Sequence, residues 1–452
     1  MRSQKLLKKD IENLFHPVTN LKTHHQDSPL ILDKGEGIYV YDIDGKKYIE
    51  GLAGLWCNSL GYGNEELVKA ASDQMQKFSY GTLFASKTHE PAIELAEKLI
   101  KLSPYNSGKV FFGNSGSDAN DTQYKIFTYL NNAKGLKNKK NFLARKKAYH
   151  GITAISASMT GLPAQHKFFD LPFSGFHHTD TPHFYRESNE NESEIEFTER
   201  LAKNLRNLIT DVGSDSFAAM IAEPLIGAGG VIIPPENYFP RIQEVLDEFD
   251  IALIDDEVIT GFGRTGKCFG LESFSMKPDS ITIAKAMSSG YIPISAVIIP
   301  DEIFEPLKEP SNEVGIFGHG YTYSGHPVAC AVSLKTLEIY EKEDTFNKVN
   351  QISPHFQKRL HDLMNYDFVG ETRGIGLIGA IELVKNKETK ESFDPYGATG
   401  KVFAKICQNN GLIIRAIGDV IAICPPLIIN LDEIDKIFNI LEHALEELKN
   451  KI

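Results

Sequence analysis

Cysteine is scarce in this chain, and its pattern limits the kinds of site that the protein can form. The 452 residues include only five cysteines: Cys57, Cys268, Cys330, Cys407 and Cys424. The number is odd and no two of them form a Cys-x-x-Cys pair. This favours free thiols in a reducing compartment over a disulfide framework or a zinc site. We therefore expect a cytoplasmic protein with no metal centre.

Positive charge is in deficit, and long apolar runs are lacking. Lys and Arg total 48 against 60 Asp and Glu, which gives a net charge of −12. Such an acidic surface argues against nucleic acid or an anionic membrane as the main partner. The basic residues near the start of the chain are followed at once by Asp10 and Glu12 rather than by an apolar stretch. We expect neither a signal peptide nor a membrane span.

Several common motifs are missing, and two partial matches fail on their context. The sequence has no Walker A, Gly-x-Ser-x-Gly or His-Glu-x-x-His motif. Gly374-Ile-Gly-Leu-Ile-Gly379 matches a dinucleotide fingerprint, but residues 377–383 are strand-like where a helix is needed, so we do not predict an NAD site. His177, His178 and His183 suggest metal ligands, but Pro182 and the local composition predict a polar loop instead.

What is present is an alternation of strand and helix patterns from about residue 108. The candidate strands are 109–112, 142–144, 217–222, 251–254, 281–284 and 295–299, with helices near 118–131, 197–210 and 239–249. This order predicts an α/β protein with a mostly parallel sheet flanked by helices. A hairpin is predicted over 38–49 around Asp44-Gly45. An amphipathic C-terminal helix carries Ile434, Ile437, Leu441, Leu445 and Leu448.

The two chain ends differ from the centre in pattern. We predict a large domain over residues 61–325 and a smaller α+β domain built from residues 1–60 and 326–452.

Charged residues follow two of the candidate strands directly. Residues 251–254 run into Asp255, Asp256 and Glu257, and residues 281–284 run into Lys285. In open α/β sheets ligands bind at the carboxyl ends of the strands. A lysine and an acid at two such ends suggest a Schiff base with pyridoxal 5'-phosphate and a partner for its pyridine nitrogen. A two-residue period puts Asp256 and Ile254 on one face, but Asp255 and Glu257 remain alternatives.

Other candidates each allow a simpler interpretation. Gly116 and Ser117 open a helix whose free N–H groups suit a phosphate, or they form an ordinary capped turn. Glu223 closes a strand, and Tyr149 follows another and could stack on a cofactor ring or belong to the core. Arg415 lies among apolar strand residues, where it needs a partner: a substrate carboxylate or an internal salt bridge.

These segments resemble the signature of class III pyridoxal-phosphate aminotransferases, and the resemblance extends over nearly the whole chain. The nearest subgroup is the ω-transaminases, which move amino groups between amines or ω-amino acids and pyruvate. The matching motifs are Leu253-Ile-Asp-Asp-Glu-Val-Ile-Thr-Gly-Phe-Gly-Arg-Thr-Gly266, Ile283-Ala-Lys-Ala-Met-Ser-Ser-Gly290, Asn114-Ser-Gly-Ser-Asp-Ala-Asn-Asp121, Gly318-His-Gly-Tyr-Thr-Tyr-Ser-Gly-His-Pro327, His16-Pro17, Tyr149-His-Gly, Ala222-Glu-Pro and Arg373-Gly-Ile-Gly-Leu377. Two departures are Ile259, where glutamine is common, and Asp118, where glutamate is usual.

The resemblance implies PLP fold type I, with a seven-stranded sheet in the large domain, and it implies a role for each matching residue. Lys285 would be the Schiff-base lysine and proton shuttle. The other cofactor-binding residues would be Gly116, Ser117, Tyr149, Glu223, Asp256, Val258 and Thr322. The substrate would contact Trp56, Phe84, Tyr149, Ala228 and Arg415, the last swinging away for an uncharged amine.

The resemblance also implies a homodimer with shared active sites, in which Thr322 reaches the phosphate of the neighbouring subunit; two dimers could pair. The expected reaction moves an amino group from an amine donor to pyruvate or a similar keto-acid acceptor by a ping-pong mechanism. An aminomutase or a dialkylglycine-type decarboxylase on the same scaffold is the main alternative. Two further alternatives are a non-catalytic binding protein and an NAD oxidoreductase. The presence of Lys285 and Asp256 argues against the non-catalytic binding protein.

Overall fold

The chain folds around three β-sheets, and the computed structural model describes residues 2–26 and 29–451. Within that part the strands are β1 Leu32–Glu36, β2 Tyr39–Asp42, β3 Lys47–Glu50, β4 Gly108–Gly113, β5 Asn141–Arg145, β6 Phe176–Thr179, β7 Phe217–Ala222, β8 Ala252–Asp256, β9 Ser280–Ile283, β10 Ser295–Pro300, β11 Val369–Ile375, β12 Ile378–Leu383, β13 Leu412–Ile413, β14 Arg415–Ile417 and β15 Val420–Ile423.

Helices connect and cover these strands. They are α1 Arg2–Asn13, α2 Ala53–Trp56, α3 Glu65–Lys77, α4 Glu90–Leu102, α5 Gly116–Ala133, α6 Ala154–Met159, α7 Phe184–Glu187, α8 Glu194–Val212, α9 Tyr238–Glu248, α10 Leu271–Phe274, α11 Asp301–Phe304, α12 Lys308–Val314, α13 Pro327–Lys342, α14 Thr345–Asp362, α15 Ala398–Asn409 and α16 Leu431–Lys449. Short 3₁₀ turns lie at His24–Gln26, Pro163–Gln165, Lys285–Ser288, Glu305–Leu307 and Leu363–Asn365. In the described ranges no helix has the length and apolar character that crossing a bilayer requires.

The central sheet has seven strands in the order β4-β10-β9-β8-β7-β5-β6. Strands β9, β8, β7, β5 and β6 pair in parallel, and β10 is antiparallel to both of its neighbours, β9 and β4. The strand β7 is buried at every position, as its unbroken apolar sequence requires between two layers of helices. The fold is therefore α/β with a mostly parallel seven-stranded sheet, and the six predicted strands are confirmed.

The segment around His177 and His178 was predicted to be a polar loop, and this prediction is wrong. Phe176–Thr179 forms the edge strand β6, which pairs with β5 only. An edge strand has one neighbour and does not need continuous apolar side chains, so its sequence shows no clear strand pattern. Its histidines also diverge: His178 Nε2 lies 3.1 Å from the carbonyl oxygen of Met159, whereas the His177 ring packs against Phe217.

Two smaller sheets use both ends of the chain. One has the order β1-β2-β3-β13, and the other has the order β11-β12-β15-β14. The predicted hairpin is present as β2 and β3, and Gly45 in its turn has a φ of 87°, which suits glycine. Gly374 and Gly379 are paired residues of the β11–β12 hairpin, so the glycine-rich motif belongs to a strand pair.

A second hydrophobic core lies beneath these smaller sheets. It contains the inward face of α16, including Ile434, Leu441 and Leu448, together with apolar residues of β12 and β15. Helix α13, in contrast, buries its side chains in the core of the large sheet. The predicted domain ranges stay a prediction, and residues 1, 27, 28 and 452 within them lie outside the described residues.

Candidate functional site

A cavity of about 120 Å³ lies where the carboxyl ends of the central parallel strands meet the start of α5. Parallel strands that point the same way bring their following residues to one edge of the sheet. The residues that line the cavity are Gly116, Ser117, Asn120, Tyr149, His150, Gly151, Glu223, Asp256, Val258, Ile259 and Lys285. Seven of the eight predicted cofactor-binding residues are therefore brought together, and Thr322 is not among them.

Asp256 ends β8 and presents a nearly buried carboxylate to the cavity. Its Oδ2 accepts hydrogen bonds from Asn120 Nδ2 and from His150 Nδ1, both at 2.8 Å. Its Oδ1 accepts a longer bond of 3.2 Å from the backbone N–H of Val258. Asn120 Nδ2 also donates to the carbonyl of His150 at 2.7 Å, which links the two partners. These donors satisfy the carboxylate oxygens, which burial separates from water.

The two neighbouring acids have other surroundings. Asp255 is fully buried, and its side chain lies near Tyr105 and Glu257 rather than in the cavity. Burial raises the pKa of Asp255 well above its usual range, and the adjacent Glu257 carboxyl raises it further. Glu257 accepts hydrogen bonds from the backbone N–H groups of Gly270 and Leu271 at 2.9 and 2.7 Å. Of the three consecutive acids, Asp256 is the one that faces the cavity.

Lys285 is the first residue of the 3₁₀ turn that follows β9, and it lies at the cavity. Its φ of 47° is in the left-handed region, which is unfavourable for a residue with a side chain and often marks a functional site. Burial lowers the pKa of the Lys285 ammonium, although the nearby Asp256 and Glu223 carboxylates act in the opposite direction. A lowered pKa increases the fraction of neutral amine, the form that reacts with a carbonyl.

The N-terminus of α5 also lines the cavity. Ser115 caps this helix, with its hydroxyl accepting from the N–H of Asp118. The N–H groups of Gly116 and Ser117 therefore lie in the first turn, at the positive end of the helix dipole. A Cβ built at Gly116 would lie 3.0 Å from Val258 Cγ2, so a side chain here would crowd Val258. This arrangement suits a phosphate group.

Glu223 and Tyr149 are joined by a hydrogen bond beside the cavity. Glu223 Oε1 accepts from the backbone N–H of Tyr149 at 3.0 Å, and its Oε2 accepts from the N–H of Gly227 at 2.9 Å. Burial raises the pKa of the Glu223 carboxyl. The Glu223 carboxyl thus fixes the position of the Tyr149 backbone, and with it the position of the Tyr149 ring.

Arg415 begins β14 and lies close enough to Tyr149 for their charges to interact. Its side chain is half-buried, and burial lowers the pKa of the guanidinium. Among the described residues its guanidinium has no hydrogen-bond or ion-pair partner. The internal salt bridge that the sequence left open is therefore not formed with any residue of the described ranges.

The remaining predicted residues lie outside the cavity lining. Trp56 is buried, and Ala228 lies next to Gly227, whose N–H is bound by Glu223. Phe84 is exposed and packs near Gly320, where an added Cβ would lie 2.8 Å from its ring. Thr322 is exposed, and its carbonyl accepts from the hydroxyl of Tyr80 at 2.9 Å.

Sequence reasoning missed Asn120, His150, Gly151 and Ile259 as lining residues. Asn120 lies in the same motif as Gly116, and His150 lies in the same motif as Tyr149, but neither was itself predicted to line the site. The signal that could have found Asn120 is its position one helical turn after the phosphate-binding residues, on the same face of α5. No comparable signal identified His150, because its partner Asp256 is 106 residues away.

The residues at the cavity fit pyridoxal 5'-phosphate. The cavity lining combines a buried carboxylate for the ring nitrogen, a helix N-terminus for the phosphate and a lysine amine for the aldehyde. The space in front of Gly116 would be filled by any side chain, and the buried Nε2 of His150 has no partner in the described structure.

Comparisons with known proteins agree with this site. The sequence profile of the Aminotransferase class-III family matches residues 21–445. A relative from Solanum lycopersicum, gamma aminobutyrate transaminase 3, chloroplastic, is 47% identical over 425 residues, covering 94% of this chain and 82% of that protein. Gamma-aminobutyrate transaminase 1, mitochondrial, of Oryza sativa subsp. japonica is 46% identical with the same coverage.

Solved structures of the same family superpose closely. The omega transaminase from Pseudomonas jessenii in complex with PMP has a TM-score of 0.98 and 46% identity, and the match covers 99% of each chain. A thermostable 6-fold mutant of that transaminase has a TM-score of 0.97, with 98% of each chain covered. The chain therefore belongs to the class III aminotransferases, and it is a transferase that uses pyridoxal 5'-phosphate.

Proposed function

We propose that the chain transfers the amino group of an amine or ω-amino acid to pyruvate or a similar keto acid by a ping-pong mechanism. The observation that carries this proposal is the combination of Lys285, Asp256 and Glu223 in one cavity with an unpaired Arg415 guanidinium beside Tyr149. The first group suits the amino transfer, and the second suits a carboxylate on the substrate.

The cofactor, when bound, supplies an aldehyde that links to amines and a ring that withdraws electrons from the amine-bearing carbon. Asp256, fixed by Asn120 and His150, would keep a proton on the ring nitrogen and so strengthen that withdrawal. The N–H groups and hydroxyl at Gly116 and Ser117 would bind the phosphate. Tyr149 and Val258 would pack on the two ring faces, and Glu223 would support the polar edge.

Lys285 would carry the proton. Its Nζ, kept partly neutral by burial, would take the proton from the amine-bearing carbon of the substrate and return it to the cofactor carbon. The left-handed backbone at Lys285 fixes where the side chain leaves the turn, which would limit the positions that Nζ can take in the cavity.

The position of Arg415 favours amino donors that carry a carboxylate. The plant relatives are named gamma-aminobutyrate transaminases, and γ-aminobutyrate carries a carboxylate at the far end from its amine. A half-buried guanidinium without a partner would gain most from such a group, because a charged pair is stronger where water is partly excluded. Trp56, Phe84 and Ala228 would form the apolar part of the substrate pocket. We propose γ-aminobutyrate as the first donor to test and pyruvate as the first acceptor.

The working unit would be a homodimer with shared active sites. Thr322 and Phe84 lie outside the cavity of their own chain, on a surface where Ile316 and Tyr323 are also exposed. Large apolar side chains grouped on a surface favour contact with another protein, and a second copy would bring Thr322 towards the opposite phosphate site. A dimer of dimers is compatible with this arrangement.

The cytoplasm remains the proposed location. All five cysteines are free thiols, which suits a reducing compartment.

The half-reaction tests the proposed function. With γ-aminobutyrate alone, the holoenzyme should release one equivalent of the aldehyde product per site, and alanine should form only after pyruvate is added. A decarboxylase would instead release carbon dioxide, and an aminomutase would release an isomeric amine. Chromatographic product analysis before and after pyruvate measures this.

Lys285→Ala should abolish both halves of that reaction, whereas Lys267→Ala, an exposed lysine in the same region, should retain them. Alanine formation by Lys285→Ala at the wild-type rate would contradict the mechanism. Borohydride treatment of the wild-type holoenzyme should attach the cofactor to the peptide that contains Lys285.

Arg415→Leu should separate donors by charge. We expect kcat/KM for γ-aminobutyrate to fall about 10- to 100-fold, the loss expected for a charge-assisted hydrogen bond. The value for an uncharged amine donor should change little. Steady-state kinetics with both donors measures the difference, with Arg206→Leu on a remote helix as the control. Equal losses for both donors would reject Arg415 as the carboxylate-binding residue.

Asn120→Ala should weaken cofactor binding. The variant removes the amide that donates to Asp256 and to the carbonyl of His150, so we expect about 5- to 50-fold lower affinity for pyridoxal 5'-phosphate. Absorbance titration of the cofactor-free protein measures this. Asn131→Ala is the matched control, since it is also a buried asparagine of α5 but lies far from the cavity. Unchanged affinity in Asn120→Ala would show that Asp256 does not depend on this amide.

Sedimentation equilibrium should give a particle of roughly twice the chain mass of 50.4 kDa, or four times that mass if dimers pair. Thr322→Ala should then lower the cofactor affinity although Thr322 does not line its own cavity. Thr210→Ala on an exposed helix face serves as the control. A monomer at micromolar concentration would contradict the shared active site.

A further inference from the structure

Residues 51–57, called the Trp56 loop below, include the short element α2, whose backbone is not helical at Gly54 and Leu55. Ala53, Gly54 and Trp56 have φ values of 49°, 69° and 65°, all in the left-handed region. Ala53 and Trp56 carry side chains and are therefore strained in this conformation. Such a backbone persists only where neighbouring groups hold it in place.

Glu50 supplies the holding contacts at the start of the loop. It ends β3, and only 4% of its surface is exposed. Its Oε1 accepts a hydrogen bond from the backbone N–H of Leu52 at 2.9 Å, and the N–H of Gly54 lies near enough to lower the pKa of the carboxyl. The hydroxyl of Tyr62 donates to Oε2 at 3.5 Å, a long and weak contact. The short hydrogen bond is thus made to a backbone group of the loop itself.

The chain after the loop is attached to the turn that carries Lys285. The N–H of Leu60 donates to Ser289 Oγ at 2.9 Å. The hydroxyl of Ser59 bonds that of Tyr340, which donates to the carbonyl of Ala286 at 2.7 Å. The Trp56 loop is therefore held at its start by Glu50, on a smaller sheet, and the chain just after it is held by the 3₁₀ turn that begins at Lys285.

We propose that Glu50 is a positioning residue that fixes the Trp56 loop and so holds the Trp56 ring in the wall of the substrate pocket. This inference rests on the proposed function, because that function makes Trp56 part of the pocket. Glu50 itself touches neither cofactor nor substrate. It acts through the backbone of the loop.

The charge state of Glu50 gives the loop a pH dependence. Burial raises the pKa of the Glu50 carboxyl to about 7, since the backbone donors offset this only in part. The ionisable groups near it are Tyr62, Cys57 and Cys424, and the cations Arg264 and Lys285 lie beyond these thiols. Below pH 7 the protonated carboxyl is neutral, so the backbone N–H groups of Leu52 and Gly54 no longer face a charged acceptor and the hold on the loop weakens.

The effect of pH on the stability of the folded protein is opposite in direction to its effect on the loop. The pKa of Glu50 in the folded state is higher than in the unfolded chain, so its contribution to stability is full at low pH and is lost as pH rises through about 7. The ionised carboxyl is therefore retained at a cost to folding. Glu50→Gln, which has nearly the same shape, should be at least as stable as the wild type above pH 7.

The sequence contains a single tryptophan, Trp56, so its fluorescence reports on this loop alone. Acrylamide quenching of the wild-type holoenzyme should be weak above pH 7 and should increase as pH falls through about 7. Glu50→Gln mimics the protonated carboxyl, so its quenching should be stronger and independent of pH across this range. Glu50→Ala, which loses both acceptors, should be quenched most.

Kinetics gives a second readout. Glu50→Gln should raise KM for the amino donor about fivefold with little change in kcat, because binding rather than proton transfer is altered. Glu36→Gln, an exposed glutamate on β1, should behave as the wild type in both assays.

A pH-dependent change of Trp56 quenching that survives in Glu50→Gln would overturn the inference, as would equal quenching in the variant and the wild type. Both outcomes are read from fluorescence and do not depend on turnover. A failure of the proposed amino transfer would instead appear in the half-reaction, with the quenching pattern unchanged. The two failures can therefore be distinguished.

Discussion

A buried carboxylate that needs hydrogen-bond donors from several segments is the constraint on which the rest of the site depends. Asp256 is 3% exposed, so its oxygens are largely cut off from water and need partners within the protein. Three donors on three different segments meet this need: Asn120 on α5, His150 after β5, and the N–H of Val258. The site can exist only if the strands and α5 hold their registers, since a shift of one residue in β8 would turn Asp255 to the cavity instead.

The three consecutive acids illustrate how position on a strand determines chemistry. Asp255, Asp256 and Glu257 have similar side chains, yet each has a different environment. Burial raises the pKa of Asp255, hydrogen-bond donors surround Asp256, and Glu257 binds the backbone of the following loop. The alternation of faces along a strand, and not the identity of the residues, separates the acid that lines the cavity from its neighbours.

The sequence predicted the parts of the fold that depend on local pattern. Continuous apolar runs such as 217–222 identified the buried strands, and the residues that follow them identified Lys285 and the acid cluster. The edge strand β6 was missed because an edge position does not demand an apolar run. His150 was missed because its role comes from contact with Asp256, a residue distant in sequence that only the folded chain brings near.

The residues proposed to contact the substrate, Arg415 and Trp56, were the hardest to predict, because their placement also depends on contacts between distant parts of the chain. Arg415 was identified as a cation that needs a partner, and the structure leaves its guanidinium without one among the described residues. Trp56 was identified only through family resemblance. Its placement depends on Glu50, on a strained loop and on contacts to the lysine turn, none of which has a pattern in the sequence.

The large sheet and the two smaller sheets contribute different residues to the site. The groups proposed for amino transfer come from the large sheet and α5, whereas Arg415 and Glu50 come from the smaller sheets built by the chain ends. A change in the position of the smaller sheets would move Arg415 and the Trp56 loop relative to the cavity while the contacts of Asp256 stayed intact. Substrate selection can therefore vary among proteins of this fold without any change in the residues that bind the cofactor. The strained loop is where the two contributions meet, since it is attached to Glu50 at one end and to the turn of Lys285 at the other.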